Sequence, residues 1–447
     1  MPTGEETSNL RVTRLTPLLP PTCVFEELPG SLDIYRTVVD TRSALLNMMA
    51  GTDDRLLCVV TMPVSCTDPE VLLHAAQQAA DFAATVSDDL LVVFQPGKGV
   101  FLRGLTTLST AVPSGEVGGA EINAQIKEAR ELLLHINRLG LPTALEFGDT
   151  ITPQFFCDLL AFASVSAQSA TLRELVSGLS MPVGLSTPAG SDSWVLKAME
   201  LSGAAHHFLG VSAEGVCGVV ESSGNDDLVA MVSQAEGNVA GLQAAVERVH
   251  RARPEAPLMI ECAAASCAGL APLLSGRKLG GRLVGMRVIL EAGVNGWAES
   301  TGATLHGLAE AVRARRKAAR APAVISAADG ETHNLRVVAV RPLLPPACLL
   351  EDLPRLTQHA ALVQKARASL LASLASTAKA DDNLVILAGP ASIDDPAAAL
   401  EYAARLSTLA ADKVPPPPLG TAKRPAPEWP RGVWSARREW AHAHAGG

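Results

Sequence analysis

Eight short apolar runs, most of them followed by a helical pattern, constrain this 447-residue chain more than any other feature. They are Leu56 to Thr61, Leu90 to Phe94, Thr143 to Phe147, Phe162 to Ala167, Val183 to Leu185, His207 to Val211, Leu258 to Glu261 and Gly285 to Leu290. Continuous apolar runs of this length suit strands buried on both faces, and parallel strands need a crossover between them. The intervening segments supply helices: Glu70 to Thr85, Ile122 to Leu139, Leu172 to Leu179, Trp194 to Leu201, Ala240 to Ala252 and Thr304 to Ala319. In the second of these, Ile126, Ala129, Leu132, Leu133 and Ile136 recur at helical spacing. The expectation is an α/β fold, a (β/α)8 TIM barrel with an N-terminal extension, whose working end lies at the strand C-termini.

The first unit, Leu56 to Pro69 (LLCVVTMPVSCTDP), shows the local logic. Asp68 reads as a helix N-cap, with Pro69 at the first helical position and Glu70 where a carboxylate suits the helix dipole. Leu384 to Pro396 (LVILAGPASIDDP) resembles this unit, and Asn9-Leu10-Arg11-Val12 with Leu18-Leu19-Pro20-Pro21 reappears as Asn334-Leu335-Arg336-Val337 with Leu343-Leu344-Pro345-Pro346. The spacing is far too long for a solenoid and predicts a tandem copy that breaks off. The expected organisation is an arm over 1–50, a barrel over 51–320, a linker over 321–332, a partial second copy over 333–412, and a Pro- and Trp-containing disordered tail over 413–447.

The net charge of −9 argues against nucleic-acid or anionic-membrane partners. The one basic run, Arg313 to Arg320, reads as the solvated end of a last helix. Eight scattered cysteines without a CxxC pair point to free thiols in a reducing compartment. The polar N-terminus is unlike a targeting signal, and no apolar run approaches the roughly 18 residues of a membrane span, so a cytoplasmic location is expected.

Asn9 to Pro21, Ala129 to Asp149 (ARELLLHINRLGLPTALEFGD), Ile151 to Gln154 (ITPQ), Arg173 to Gly184 (RELVSGLSMPVG) and Ser222 to Asn225 (SSGN) resemble class I 3-deoxy-7-phosphoheptulonate (DAHP) synthase. The resemblance runs in order through residues 9 to 320. It implies a barrel that condenses phosphoenolpyruvate with erythrose 4-phosphate at a divalent metal such as Mn2+, the first step toward the aromatic amino acids. Such chemistry needs guanidinium and ammonium groups for phosphate and carboxylate, and a Lewis acid for the aldehyde.

Position by position, the resemblance also implies that these groups are missing. The metal-ligand cysteine falls on Val64, the metal histidine on Ala264 and the metal glutamate on Ile289, while the stretch carrying the aspartate is absent between Gly302 and Leu308. Lys98 and Arg103 are the only basic candidates near the phosphate grip, Ala167 to Ala170 replaces an Ala-Arg-Thr-Thr motif, and Ser186 and Ser233 replace a lysine and an arginine. Ser212 to Gly215 replaces Thr-Lys-Trp-Gly; Glu146 and Asp68 alone stay in register. No cofactor is expected, and the chain reads as a catalytically defunct paralogue. The alternatives are a weak or re-purposed enzyme using Lys98, Arg103, Glu146 and Cys262, or a decayed gene product.

Pro153, Gln154, Leu179, Ser180 and Phe208 match positions that line an aromatic amino acid cleft in feedback-regulated members, and are otherwise ordinary core and loop residues. A homo-oligomer or a hetero-oligomer with an active synthase, with an aromatic amino acid effector, is the implied setting. Cys66, Cys262 and Cys267 near Glu261 offer the elements of a rebuilt metal site, but read more plainly as inert thiols. His135, His206 and His207 read as packing or surface residues, and Gly115 to Gly119 as loop.

Overall fold

The computed structural model describes residues 17–63, 65–97, 119–188, 192–233, 239–270, 282–290, 299–316, 336–343, 357–375 and 395–411. Contacts divide the chain into one unit of Arg11–Pro354 and another of Met1–Leu10 with Arg355–Gly447. The expected tail, linker and Leu384 strand, with residues 115–118 of the glycine-containing loop, lie outside the described residues.

The first described elements of the large unit are two helices, α1 (Pro21–Glu27) and α2 (Leu32–Ala50). Ser31 caps α2 by accepting from the Ile34 amide, and Gly51 ends it at φ 77°, a left-handed conformation that glycine adopts without a Cβ penalty. Barrel units follow: β1 (Leu56–Thr61), α3 (Pro69–Val86), β2 (Leu90–Gln95), α4 (Gly119–Arg138) and β3 (Thr143–Phe147). Next come the single-turn α5 (Pro153–Phe156), β4 (Leu160–Ser166), α6 (Ala170–Val176), β5 (Val183–Ser186) and α7 (Asp192–Ser202). A hairpin of β6 (His207–Val211) and β7 (Cys217–Ser222) interrupts the alternation before β8 (Leu228–Ser233), α8 (Val239–Ala252), β9 (Pro257–Ala263), the single-turn α9 (Ala264–Cys267), β10 (Arg282–Ile289) and α10 (Glu299–Arg316). Asp68 caps α3 as its sequence predicts, its carboxylate accepting from the Glu70 amide at 2.9 Å.

Eight parallel strands close the barrel in the order β1-β10-β9-β8-β5-β4-β3-β2. Seven were expected, and one was not. His207 to Val211 lies outside the barrel, paired antiparallel with β7, and Leu228 to Ser233 is the sixth barrel strand. Burial explains the exchange: β6 exposes His207 and Leu209 around buried Phe208, whereas β8 is buried from Leu228 through Val232. The barrel's seam between β2 and β3 is its least paired, with one register pair, Phe94 to Thr143.

The inner core consists of side chains such as Leu57, Val59, Val93, Phe162, Met231 and Met259, with Leu45, Met48 and Met49 of α2 packed against them. α2, within the N-terminal extension, thus contributes to the barrel's apolar core. Arg42 fastens it, donating through Nε and Nη2 to the Leu160 carbonyl at 3.0 and 2.6 Å and through Nη2 to that of Cys157 at 2.7 Å. Arg313 in α10 pairs with buried Asp89 at 2.7 Å, which anchors the start of the basic run; residues 317–320 of that run lie outside the described residues.

After the barrel, β11 (Val337–Pro342) pairs antiparallel with β7, making a three-stranded sheet β11-β7-β6. The expected boundary at residue 333 thus divides differently, because backbone hydrogen bonds place β11 in the large unit. In the other unit the described elements are α11 (Thr357–Ala375) and α12 (Pro396–Ala411). Asp395 accepts from the Ala397 amide at 2.8 Å, repeating the cap that Asp68 gives α3. Among the described residues no helix is long and apolar enough to cross a membrane.

Cys58 in β1 is fully buried, and burial pushes its thiol from 9.0 up to about 12. The folded state therefore favours the neutral thiol. Its stability contribution is intact below about pH 9 and is lost as pH rises toward 12, at about 1.4 kcal/mol per pH unit. Urea unfolding across that window is expected to show a steeper fall for the native chain than for Cys58→Ala; equal slopes would refute the assignment.

Candidate functional site

The barrel interior changes character along its strands. Two residues beyond the apolar Val59, Val93, Ala144, Phe162, Met231 and Met259 come Thr61, Gln95, Glu146, Ser164, Ser233 and Glu261, on the same inward face by the two-residue strand period. Arg287 of β10 enters this polar layer and organises it. Its Nη1 donates to Glu261 Oε2 and its Nη2 to Glu146 Oε2, each at 3.0 Å, while Nε donates to Thr61 Oγ1 at 3.1 Å. The guanidinium side chain is 8% exposed. Gln95 Oε1 and Ser164 Oγ, buried in the same layer, have no hydrogen-bond partner among the described residues.

Of the positions that the resemblance assigns to metal ligands, Ala264 and Ile289 lie at the C-terminal ends of β9 and β10. Ile289 is in register with Thr61 and with Ala263, beside Ala264. Val64, Lys98 and Arg103 lie outside the described residues. A divalent metal does not fit the groups present: the side chains of Ala264 and Ile289 have no lone pair to donate, and a guanidinium already occupies both nearby carboxylates. Among the described residues no three His, Cys, Asp or Glu side chains converge as a metal site. Asp68 serves as the α3 cap.

The cysteine expectation needs correcting. Cys262, at the end of β9, is joined in a disulfide to Cys267, at the end of α9, because the single helical turn folds back over the strand end. Cys66 is partly buried, with its thiol pushed upward by desolvation. Glu261 is engaged with Arg287, so these groups do not assemble a second metal site.

The serines at the expected anion grips are turned toward backbone. Ser186 Oγ donates to the Val165 carbonyl at 3.2 Å and Ser233 Oγ to that of Thr187 at 3.3 Å, while Ser169 accepts from the Leu172 amide as the α6 cap. Ser212 to Gly215 forms the β6–β7 turn, with Gly215 at φ 80° and its amide bonded to the Ser212 carbonyl. His135 is exposed, His207 is exposed 3.7 Å from Glu221, and His206 Nε2 contacts the Leu201 carbonyl at 2.6 Å.

A second concavity lies beside the β11-β7-β6 sheet. Pro153, Gln154, Leu179, Ser180 and Phe208, the five expected cleft residues, all line it. Its free volume is about 30 Å³, roughly that of one water, but it adjoins a cavity of about 350 Å³ walled by Val211, Ser212, Glu214, Val216, Val340 and Pro342. Gln154, Ala213, Val220 and Val337 are common to both, and the larger volume falls in the range of small-molecule sites. Arg336 secures the β11 side, donating from Nη1 to the Leu179 carbonyl at 2.6 Å and pairing through Nη2 with Asp227.

Arg287 was missed by the sequence reasoning, although a charged residue inside the apolar run Leu283 to Leu290 is a legible signal.

A family model described as the DAHP synthetase I family matches residues 36–267. The chain is 35% identical over 233 residues to the Phe-sensitive phospho-2-dehydro-3-deoxyheptonate aldolase of Escherichia coli (strain K12), covering 50% of this chain and 64% of that protein. It is 29% identical over 277 residues to the tyrosine-inhibited phospho-2-dehydro-3-deoxyheptonate aldolase of Candida albicans, covering 58% of this chain and 73% of the relative. A solved phospho-2-dehydro-3-deoxyheptonate aldolase from Francisella tularensis SCHU S4 superposes with a TM-score of 0.57 at 22% identity, over 68% of this chain and 99% of that one, a likeness of fold.

Proposed function

The chain belongs to the DAHP synthetase I family, and from that premise we propose that it is a catalytically defunct paralogue of DAHP synthase that acts as a regulatory or scaffold subunit. The observation that carries this reading is the barrel mouth. Where the family's chemistry calls for a Lewis acid, Ala264 and Ile289 present hydrocarbon and Arg287 bridges Glu146 and Glu261. Catalytic groups of this kind act as a unit, so losing several at once removes nearly all rate enhancement.

The cleft supports the regulatory half of the reading. It gathers Pro153, Gln154, Leu179, Ser180 and Phe208 beside a cavity in the range of small-molecule sites. The ligand proposed for it is phenylalanine, tyrosine or tryptophan, and the protein partner is a complete synthase or a second copy of this chain. A cytoplasmic setting and a second, truncated copy beginning near Asn334 belong to the same proposal.

The test is DAHP formation by purified full-length chain with Mn2+, phosphoenolpyruvate and erythrose 4-phosphate, beside calorimetry with the three aromatic amino acids. No turnover with binding of one amino acid, lost in a Phe208→Ala variant, is the expected result. Turnover by the unmodified chain would overturn the defunct reading, and absence of amino acid binding would overturn the regulatory one.

A further inference from the structure

We propose that Arg287 is a built-in cation of the barrel mouth: its guanidinium holds Glu146 and Glu261 together across the lumen, so that the mouth closes without a divalent ion and admits one only when Arg287 is removed. The inference deepens the reading above, and rests on it only in that Ala264 and Ile289 offer no ligand atoms.

Three observations carry it. The contacts are a set, not a lone pair: one planar fork meets two carboxylates at 3.0 Å each and a hydroxyl at 3.1 Å. The partners come from three strands, since Thr61 is on β1, Glu146 on β3 and Glu261 on β9. In the barrel order, Arg287 on β10 is separated from Glu146 on β3 by β1 and β2. The ion pair therefore spans the β2–β3 seam, where a single register pair joins the sheet. A cross-lumen contact at that seam braces what the ladder leaves weakly tied.

Charge makes the arrangement exclusive. With Arg287 in place, a divalent ion reaching Glu146 and Glu261 must displace a cation already hydrogen-bonded to both. Without Arg287, Glu146 and Glu261 lose the cation they share, and their carboxylates are oxygen ligands suited to a hard cation such as Mn2+.

The experiment uses the full chain and Mn2+ alone. Thermal unfolding and the electron paramagnetic resonance signal of free Mn2+ are followed for the native chain, Arg287→Met, and a triple variant that adds Glu146→Gln and Glu261→Gln. The native chain is expected to melt at one temperature whether or not Mn2+ is present and to leave the free-ion signal intact. Arg287→Met should melt lower, take up one Mn2+ per chain and regain part of its melting temperature on doing so, and the triple variant should lose that response. If Arg287→Met fails to fold, refolding it with Mn2+ decides: recovery supports the proposal and no recovery overturns it. Stoichiometric Mn2+ uptake by the native chain that Glu146→Gln and Glu261→Gln abolish would overturn it, as would an Arg287→Met chain that melts like the native one and ignores Mn2+. DAHP formation by the native chain would remove the defunct reading while leaving the Mn2+ response to judge this one.

Discussion

Replacing Arg130 with alanine is expected to destabilise the large unit by about 3–5 kcal/mol, the usual effect of leaving a buried charge without its partner. Arg130 in α4 is fully buried, and its two terminal nitrogens grip both oxygens of Asp158 at 2.8 and 2.7 Å. Nη1 also donates to the Phe155 carbonyl and Nε to that of Leu28, both at 2.9 Å, while the guanidinium carbon lies 4.4 Å from the centre of the Phe25 ring. One side chain thus joins α4, the end of α1 and the α5 segment that carries Pro153 and Gln154. Urea unfolding should show the loss directly. Arg130→Ala combined with Asp158→Ala should recover part of it, since the stranded carboxylate is gone; a double variant no better than the single one would show that packing, not charge, dominates.

Asn225→Ala is expected to lower stability by roughly 1–3 kcal/mol, because it removes a buried side-chain donor shared by three carbonyls, of which those of Val176 and Leu179 keep a second donor in the Leu179 amide and Arg336 Nη1. The Asn225 side chain is fully buried, and its Nδ2 faces the carbonyls of Val176, Leu179 and Met181 at 3.1 to 3.3 Å while Oδ1 accepts from the Asp227 amide at 2.9 Å. These carbonyls run from the end of α6 through the turn before β5 that presents Leu179 and Ser180 to the cleft. The near-isosteric Asn225→Asp should do no better at neutral pH, since it turns a carboxylate oxygen toward the same three carbonyls. Chemical unfolding of both variants checks this, and native-like stability of Asn225→Asp would contradict the donor role.

Much of this was legible beforehand for physical reasons. Seven barrel strands announced themselves because parallel strands buried on both faces must be continuous apolar runs, and Asp68-Pro69-Glu70 carried its helix start in three residues. The sixth strand was misassigned because Phe208 to Val211 is as apolar in composition as Leu228 to Val232, and only burial separates a one-faced hairpin strand from a barrel stave. The motifs carrying the family resemblance hold Arg130, Gln154, Leu179 and Asn225, which meet around the cleft in space although they are far apart in sequence. Arg287 stayed hidden because its partners, Thr61, Glu146 and Glu261, come together only once the barrel closes. The Cys262–Cys267 disulfide likewise depends on a fold-back that spacing alone does not reveal.

β11 reaches β7 from the same polypeptide, with Val340 opposite Val220 and the Ser223 amide bonded to the Arg336 carbonyl at 2.9 Å. A strand tethered in this way meets its edge at a local concentration fixed by the intervening chain, so dilution does not loosen it. Val337, which lines both the cleft and the adjoining cavity, accordingly stands in place in a solitary molecule as fully as in an assembled one. That wall of the cleft is a first-order property of the chain, insensitive to how much protein the solution contains.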